Sequence, residues 1–521
     1  MARRACLLVL VAIALLVPAG AATAQTPPSM TDSNLDVRTA ASGLTGPTSF
    51  AFLGANDMLV LEKPTGRVKH VVNGEDAGTA LDLAVNSASE RGLLGIALHP
   101  NFAQNHWVYL FWTCQTTAAR PDNFTPAARN CDDTQMLGAD TNVTLAVPLL
   151  GNRIDRFVWD PETETLSFEK HIISLLSFQA DGAPTPPNQG DSAQNSAGNQ
   201  QGGVLRFGRD GRLYAIVGDI GRRGQMQNLL CGPTATSCRG SFLRPIGATL
   251  DDQFGGPQPD DAHLSSVILR LDDDGDAPAS NPFFDLGEGM GGTAGANLQK
   301  VFALGIRNSF GMAVDPVTGA LWEQENGDDS FDEINRVSAG MNSGFVQIMG
   351  PASRLAQYRD IETTFGGRSL QQLRWPPTNI AETQSRALDR VRAALPPASY
   401  SDPEFSWRWN LPPGAIGFVD GNGLGTNYNG NLFVGGATQG TVGGHLFRFR
   451  LNSQRTGFAF QDSRLNDRVA DNLAKADITE SESLLAGSNF GIVTDIQTGP
   501  NGHLYVVSTN RGVIYEVFPA G

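Results

Sequence analysis

Basic residues are scarce in this 521-residue sequence. It contains 38 Lys and Arg against 53 Asp and Glu, for a formal net charge of −15 at pH 7. Proteins that bind nucleic acids need clustered cations to neutralise phosphates. The sequence therefore predicts no nucleic-acid partner.

Long hydrophobic runs are absent beyond the first residues. The chain begins with Arg3 and Arg4, an apolar stretch at Cys6–Pro18 and the small residues Ala22-Thr23-Ala24, which is the order of a secretory signal peptide. Because that stretch is shorter than the about 18 residues that span a bilayer, an uncleaved membrane anchor is the less favoured alternative. We expect residues 1–24 to be a signal peptide, residues 25–521 to be one domain, and the protein to be periplasmic or secreted without a membrane span.

Cysteine is rare, with 5 residues, of which the predicted signal peptide would remove Cys6. An even number then remains, and in an exported chain this favours disulfides. We expect the local pairs Cys114–Cys131 and Cys231–Cys238, although four cysteines allow other pairings. A zinc site is the alternative, but no Cys-x-x-Cys motif or histidine cluster accompanies these residues.

Long amphipathic helical patterns are also scarce, whereas Gly (59) and Pro (30) are common. Asn-Gly and Asp-Gly pairs reach positive φ at low cost and favour tight hairpins, and here such turns precede short runs with strand composition. These turn-and-run segments are 54–61, 210–217, 318–322, 429–434 and 501–507.

Hairpins repeated over so long a chain favour radial repetition, as in a β-propeller. A β-sandwich of this length would be unusual for one domain. The uneven spacing predicts long loop insertions at 115–147, 177–199, 222–262 and 351–397, the last with a polar helical stretch at 380–395. A final strand at 512–518 would close the ring against the first blade.

Several segments then resemble one known family, in the right order between about Val37 and Phe518. They are Glu90-Arg91 with GLLGIALHPNF, GGVLRFGRDGRLYAIVGDIG from Gly202, ILRLDDDGDAPASNPF from Ile268, ALGIRNSFGMAVDPVTGALW from Ala303, ENGDDSFDEINRV from Glu325, NYNGNLFVGG from Asn427 and IQTGPNGHLYVVS from Ile496. This order is similar to that of the glucose/sorbosone dehydrogenases.

The resemblance implies an all-β, six-bladed β-propeller with long loop insertions. It also implies a sugar dehydrogenase that holds pyrroloquinoline quinone (PQQ) through Ca²⁺ and oxidises an aldose by hydride transfer to the quinone. In that family a histidine is the general base, and the electrons leave to an external acceptor.

The family's functional positions can be carried over one by one. Arg307, Asn308 and Asp332 match cofactor-contact positions, and the backbone oxygens of Gly327 and Asp328 match those that hold Ca²⁺. Asp219 matches an acid beside the substrate and the base, and Glu90 matches a substrate contact. Gln200 occupies the position of the catalytic histidine.

Four of these positions depart from the family. Gln200 cannot act as a base near neutral pH. Thr438, Ile492 and Thr494 replace a lysine and two arginines that pair with the cofactor carboxylates. Because each charge-assisted hydrogen bond contributes about 1.5–3 kcal/mol, these losses predict a much weaker affinity for PQQ.

Structural interpretations stand beside the functional ones. Arg307-Asn308 could tie two blade loops together, and Asp219 could cap a turn before Gly221. The run Asp272–Asp276 lacks the EF-hand spacing and is better explained as a turn. His99 is expected to be a hydrogen-bonded core residue, and His171 a loop or strand-edge residue.

Three functions remain open from the sequence. The first is a quinoprotein oxidoreductase with an unidentified base, such as Asp219 or a water held by Gln200 and Glu90. The second is a catalytically silent propeller that binds a saccharide or a protein. The third is a hydrolase or lactonase with a central Ca²⁺. Fold alone does not choose between them.

Overall fold

Short β-strands dominate the computed structural model, which describes residues 26–114, 151–177, 200–220, 264–365, 380–395, 398–436 and 444–521. The predicted signal peptide lies outside these residues, as do Cys131, Cys231 and Cys238, so the signal and both disulfide pairings stay predictions. Most of the first three predicted insertions also lie outside them. Within the described ranges, no helix has the length and apolar character needed to cross a membrane.

The strands are short and follow one another closely along the chain. The first fourteen are β1 (Ser29–Met30), β2 (Leu35–Ala41), β3 (Pro47–Gly54), β4 (Asp57–Glu62), β5 (Arg67–Val72), β6 (Glu75–Asp82), β7 (Leu93–Leu98), β8 (Trp107–Thr113), β9 (Gly151–Asp160), β10 (Thr165–Leu176), β11 (Gly202–Phe207), β12 (Leu213–Val217), β13 (Val267–Leu271) and β14 (Val301–Leu304). The others are β15 (Gly311–Val314), β16 (Leu321–Glu325), β17 (Ser330–Val337), β18 (Met341–Asn342), β19 (Ser399–Tyr400), β20 (Phe405–Trp409), β21 (Pro413–Phe418), β22 (Leu432–Gly436), β23 (His445–Phe449), β24 (Val469–Ala470), β25 (Leu485–Ser488), β26 (Val493–Thr498), β27 (Leu504–Ser508) and β28 (Val513–Pro519).

Helices are few and short among the described residues. They are α1 (Phe102–Asn105), α2 (Phe284–Met290), α3 (Gly292–Leu298), α4 (Leu355–Phe365) and α5 (Gln384–Ala394), with 3₁₀ turns at Ala352–Arg354, Ser463–Asp467 and Ser481–Leu484. The polar helical stretch predicted at 380–395 is confirmed as α5. Thr383 caps this helix by accepting a hydrogen bond from the Arg386 backbone N–H.

The described strands form six small sheets that are mainly antiparallel. Their strand orders are β3-β4-β5-β6, β10-β9-β8-β7, β11-β12-β13-β14-β18-β19, β15-β16-β17-β20-β24, β1-β25-β23-β22-β21 and β2-β28-β27-β26. All five predicted hairpin runs lie in strands. Gly211 and Gly502 have φ of 71° and 74° in the turns before β12 and β27, where glycine avoids the steric cost that other residues meet.

One edge strand of each sheet contacts the corresponding edge strands of two neighbouring sheets. The contacts run from β3 to β7, β11, β15, β21 and β26, and from β26 back to β3. The strands approach closely here: a Cβ at Gly95 on β7 would lie 2.1 Å from the Gly203 oxygen on β11. The predicted all-β, propeller-like arrangement of small sheets is confirmed.

Both ends of the described chain contribute to one sheet. Strand β2 pairs with β28 in antiparallel register, from Leu35 opposite Pro519 to Ala41 opposite Ile514. Arg38 forms an ion pair with Glu516 at 2.8 Å across this junction. The predicted closing strand at 512–518 is therefore confirmed as β28.

Apolar side chains fill the spaces between neighbouring sheets. Trp322, Phe405, Trp407 and Phe447 belong to one such core, and each is fully buried. Such packing removes apolar area from water at about 25 cal/mol per Å². The ring is thus held together mainly by sheet-to-sheet burial.

Two of the structural interpretations are also confirmed. Asp272 Oδ1 accepts hydrogen bonds from the backbone N–H groups of Asp274 and Asp276, which makes the acidic run a turn. His99 is buried, and its Nδ1 lies 2.7 Å from the Asn105 side-chain nitrogen.

Candidate functional site

A cavity of about 400 Å³ lies where the edge strands β3, β7, β11, β15, β21 and β26 meet, and we call these the six inner strands. All six inner strands or their immediate neighbours contribute to its wall: Thr48 and Ser49 on β3, Leu94 and Gly95 on β7, Gly202, Val204 and Arg206 on β11, Phe310 before β15, Pro413 and Gly414 on β21, and Val493, Thr494 and Asp495 on β26. This volume is typical of small-molecule sites.

Two polar groups mark opposite ends of this cavity. Arg206 forms an ion pair with Asp495 at 2.6 Å, and Ser49 Oγ donates to the same carboxylate at 2.6 Å. Glu90 lies at the other end of β11, beside the residues that precede Gly202. The middle of the cavity is mainly carbon-lined, so a ligand would meet polar groups at its two ends.

Glu90 is held by the chain just before β11. Its Oε2 accepts a hydrogen bond from the Gln200 backbone N–H at 2.6 Å and another from the Asn308 side-chain amide at 3.1 Å. Gln200 has φ of 58°, a left-handed conformation that costs a non-glycine residue roughly 1–2 kcal/mol. Burial raises the pKa of Glu90 above its ordinary value, although these hydrogen bonds oppose the rise.

Arg307 ties the next part of the site together. Its Nη1 donates to the Asn326 carbonyl at 2.8 Å, and its Nη2 forms an ion pair with Asp328. Its own carbonyl accepts the Asp219 backbone N–H at 2.8 Å. Burial disfavours the Arg307 charge, but Asp328 and then Asp219 favour it more strongly, so its pKa is raised.

Asp332 is fully buried and braces the loop that holds Gly327. Its Oδ1 accepts the Gly327 backbone N–H and the Asn410 side-chain amide, each at 2.8 Å. A Cβ at Gly327 would lie 1.9 Å from the Ser330 carbonyl oxygen, so this close approach requires glycine. Burial raises the pKa of Asp332 to about 7, against the hydrogen bonds and the nearby Arg307.

The structure brings all eight predicted site residues into one connected group. Hydrogen bonds join Glu90 to Gln200 and Asn308, Arg307 to Asp219, and Gly327 to Asp332, and an ion pair joins Arg307 to Asp328. Peptide bonds connect these contacts at Arg307-Asn308 and Gly327-Asp328. Of these, Glu90 lines the cavity, and the other seven are not among its lining residues. Their individual roles remain predictions.

The structure describes two of the three positions at which the family has a cofactor-pairing cation and this chain does not. Ile492 and Thr494 line the cavity, where they supply no charge. Thr438 lies outside the described residues. Among the described residues, no group of three or more His, Cys, Asp or Glu side chains could hold a metal ion. The predicted Ca²⁺ site at Gly327 and Asp328 therefore still rests on backbone oxygens alone.

The sequence analysis missed several polar cavity residues, among them Arg206, Asp495, Asn326 and Lys63. Asn326 lies beside Gly327 within a segment that already carried the resemblance, so that signal was present. Lys63 follows β4 in the first sheet, and its Nζ donates to the Ser89 carbonyl at 2.6 Å. No motif marks Lys63, because only the ring brings it to Glu90.

A layer of buried glutamates lies behind Arg307. Glu325 accepts the Arg307 backbone N–H and the Ser343 hydroxyl. The Asn335 amide donates to Glu323 at 2.8 Å and to Glu333 at 2.9 Å. Burial raises the pKa of Glu323 to about 7 and that of Glu333 to about 8. These carboxyls therefore stay protonated at pH values at which an exposed glutamate is ionised.

Comparison with known proteins adds independent information. The glucose/sorbosone dehydrogenase family model matches residues 44–146 and 245–363. An uncharacterized protein of Synechocystis is 24% identical over 486 residues, which cover 91% of this chain and 84% of that protein. Quinoprotein glucose dehydrogenase B of Acinetobacter calcoaceticus is 26% identical over 323 residues. That match covers 61% of this chain and 53% of the relative, so it spans about half of the relative's length.

A solved structure shares the fold. The PQQ-bound form of aldose sugar dehydrogenase from Streptomyces coelicolor matches with a TM-score of 0.51 and 20% identity, over 94% of this chain and 99% of that one. At this identity the likeness concerns the fold alone. The chain is thus similar to the glucose/sorbosone dehydrogenases over the two segments that the family model matches and over most of its length to the Synechocystis protein.

Proposed function

We propose that the axial cavity binds an uncharged, polyhydroxylated ligand of the saccharide class. In this proposal each of the six sheets is one propeller blade, and the cavity occupies the propeller axis. The observation that carries it is the combination of carbon-lined walls with Glu90, Asn326 and Lys63 at one end. Sugars present both apolar C–H faces and hydroxyl donors, which such a surface can accommodate.

Hydrogen-bond acceptors are in surplus at this end. Asn326 lines the cavity end, and Asn308 and Gln200 both donate to Glu90 there. Within the described ranges, the buried side-chain oxygens of these three residues accept no hydrogen bond. An unsatisfied buried polar atom costs about 1–3 kcal/mol. Ligand hydroxyls that donate to these oxygens would remove that cost, which supports a neutral polyol.

The same residues do not fit PQQ. A tricarboxylate needs cations and hydrogen-bond donors, but the Arg307 charge is already paired with Asp328. Ile492 and Thr494 bring no charge to the wall. Of the cations that line the cavity, Arg206 is paired with Asp495 and Lys63 interacts with Glu90. Lys63 alone cannot neutralise three carboxylates, so the cavity suits a neutral ligand better than a trianion.

Oxidation of the bound sugar, with its electrons passed to an external acceptor, is the second candidate. Its specific support is Glu90, whose raised pKa moves a cavity carboxylate toward the range in which it can accept a hydroxyl proton. Glu90 would then take the role that Gln200 cannot perform. Export to the periplasm or the medium, and Ca²⁺ held at Gly327 and Asp328, complete this second proposal.

Glu90→Gln is expected to weaken saccharide binding by about 10- to 100-fold, because a charged acceptor contributes about 1.5–3 kcal/mol. Isothermal titration calorimetry of the purified protein with a panel of neutral aldoses measures this change. Glu404→Gln is the matched control, since Glu404 is buried, accepts the Arg336 backbone N–H and lies outside the cavity.

The cofactor assignment is tested in a separate arm. PQQ with Ca²⁺ is titrated into the same protein, and dye reduction is followed with each aldose that binds. We expect saccharide binding without saturable PQQ binding. Tight PQQ binding with turnover would overturn the cofactor assignment, whereas equal aldose affinities for wild type and Glu90→Gln would overturn the proposed site.

A further inference from the structure

A β-bulge in the second sheet places a serine beside a histidine. In regular strands, residues three apart point to opposite faces. Between β10 and β9, however, His171 pairs with Asp155 while Ile173 pairs with Ile154, so β10 carries one extra residue. The bulge brings His171 and Ser174 to the same face, and bulges commonly re-aim side chains in this way.

These side chains form an ordered chain of hydrogen bonds. Ser174 Oγ lies 2.9 Å from His171 Nε2, and His171 Nδ1 lies 2.7 Å from Asp155 Oδ1. Asp155 is fully buried, and although burial alone would raise its pKa, Arg153 and His171 lower it below its ordinary value. An ionised carboxylate only accepts hydrogen bonds, so the shorter contact, to Asp155, places the imidazole proton on Nδ1; Arg153 Nη2 lies farther from this nitrogen, at 3.3 Å.

That proton position fixes the role of Ser174. With Nδ1 protonated, a neutral His171 offers Nε2 as an acceptor. The Ser174 hydroxyl then donates to Nε2, which is the arrangement in which a histidine can remove the serine proton. His70 provides a contrast, because its two nitrogens face Asp57 and Glu164 instead.

Asp155 is itself held in place by donors from Trp112 and Arg153, and Arg153 Nη2 donates at 2.7 Å to Oδ1, the oxygen that faces His171. Trp112 Nε1 donates to its Oδ2 at 2.7 Å, and Arg153 Nε donates to the same oxygen at 2.5 Å. Because Arg153 shares the negative charge, Asp155 is a positioning residue that orients the imidazole more than it stabilises an imidazolium. The His171 side chain is 25% exposed, so a reagent in solution can reach this face.

We propose that Ser174 is an activated nucleophile that reacts with carboxylic esters through a Ser174–His171–Asp155 triad. Ser174 Oγ attacks the ester carbonyl carbon while His171 Nε2 takes the hydroxyl proton. The proton then passes to the departing alkoxide, which leaves as an alcohol and gives an acyl-serine. Water, deprotonated by the same nitrogen, releases the carboxylic acid and restores the serine.

A fluorophosphonate probe tests this proposal on the full chain without an identified substrate. We expect one phosphonyl group per chain, located on Ser174 by peptide mapping of the wild-type protein. Ser174→Ala should lose the adduct, and His171→Gln should slow labelling by about 10²- to 10⁴-fold, the usual contribution of a general base. Ser167→Ala on the same strand and His70→Gln should label at the wild-type rate.

An NMR measurement tests Asp155 separately. The His171 Nδ1–H resonance should be present in the wild type and lost or shifted in Asp155→Asn. Absence of an adduct on Ser174, or equal labelling of Ser174→Ala at an unchanged site, would overturn the proposal. Labelling that His171→Gln leaves unchanged would equally show that the serine is not activated by this histidine.

Discussion

Asp328→Asn is expected to lower the free energy of unfolding by about 3–5 kcal/mol, the usual cost of leaving a buried charge without its partner. Arg307 and Asp328 are largely shielded from solvent, with 11% and 5% of their side-chain surfaces exposed. Asparagine keeps the shape of the side chain but removes the charge that most strongly supports the guanidinium. Denaturant unfolding monitored by tryptophan fluorescence measures the loss.

Asp329→Asn is the matched control for this variant. Asp329 is the next residue and is also paired with a cation, Lys475, but that pair is more exposed. We therefore expect a loss of no more than about 1 kcal/mol. Equal losses for the two variants would contradict the special role of the Arg307 pair.

Added carboxylates should distinguish a vacated anion position from simple damage. In Asp328→Asn, millimolar formate or acetate can enter beside Arg307 and is expected to raise the melting temperature, because ligands that bind only the native state stabilise it. The wild type should not respond, since Asp328 already fills that position. If formate and acetate do not stabilise Asp328→Asn, the Arg307 guanidinium is inaccessible to added anions. The Arg307–Asp328 pair would then no longer explain the poor fit to PQQ.

The free energy of unfolding is expected to fall as the pH rises from about 5 to 8. Burial raises the pKa of Glu323 and Asp332 to about 7 and that of Glu333 to about 8. Between the unfolded and folded pKa values the native state holds protons that the unfolded chain has released. Each such group therefore removes up to about 1.4 kcal/mol per pH unit as the pH rises.

Together these groups should lower the free energy of unfolding by several kcal/mol across that range. His445 opposes the trend in part, because burial lowers its pKa and the unfolded chain then binds the extra proton. Unfolding curves at pH 5, 6, 7 and 8 measure the slope. Glu333→Gln should reduce this slope by the contribution of nearly one proton, about 1.4 kcal/mol per pH unit. A wild-type free energy of unfolding that rises from pH 5 to 8 would contradict the expectation.

Much of the ring could be predicted because its signals are local. An Asp-Gly or Asn-Gly turn followed by a β-rich run specifies a hairpin wherever it occurs, and β12 and β27 lie where such turns placed them. The prolines around residues 380–395 likewise bounded α5. The family motifs brought eight site residues to one place because each motif lies at the end of a strand near the axis.

What the sequence could not supply depends on contacts between distant residues. Nothing in the composition of the segment from Glu325 to Val337 indicates that Asp328 forms an ion pair with Arg307. Lys63 reaches the cavity only through the ring. The extra residue in β10 that aligns Ser174 with His171 becomes visible only when the pairing with β9 is known.

The pairing of β2 with β28 has a consequence for biosynthesis. Arg38 and Glu516 are 478 positions apart, so β2 leaves the ribosome long before its partner strand has been made. Until then β2 presents an unpaired edge, which can associate with other chains. A nascent chain of this kind would gain from a binding protein that shields β2 until translation ends.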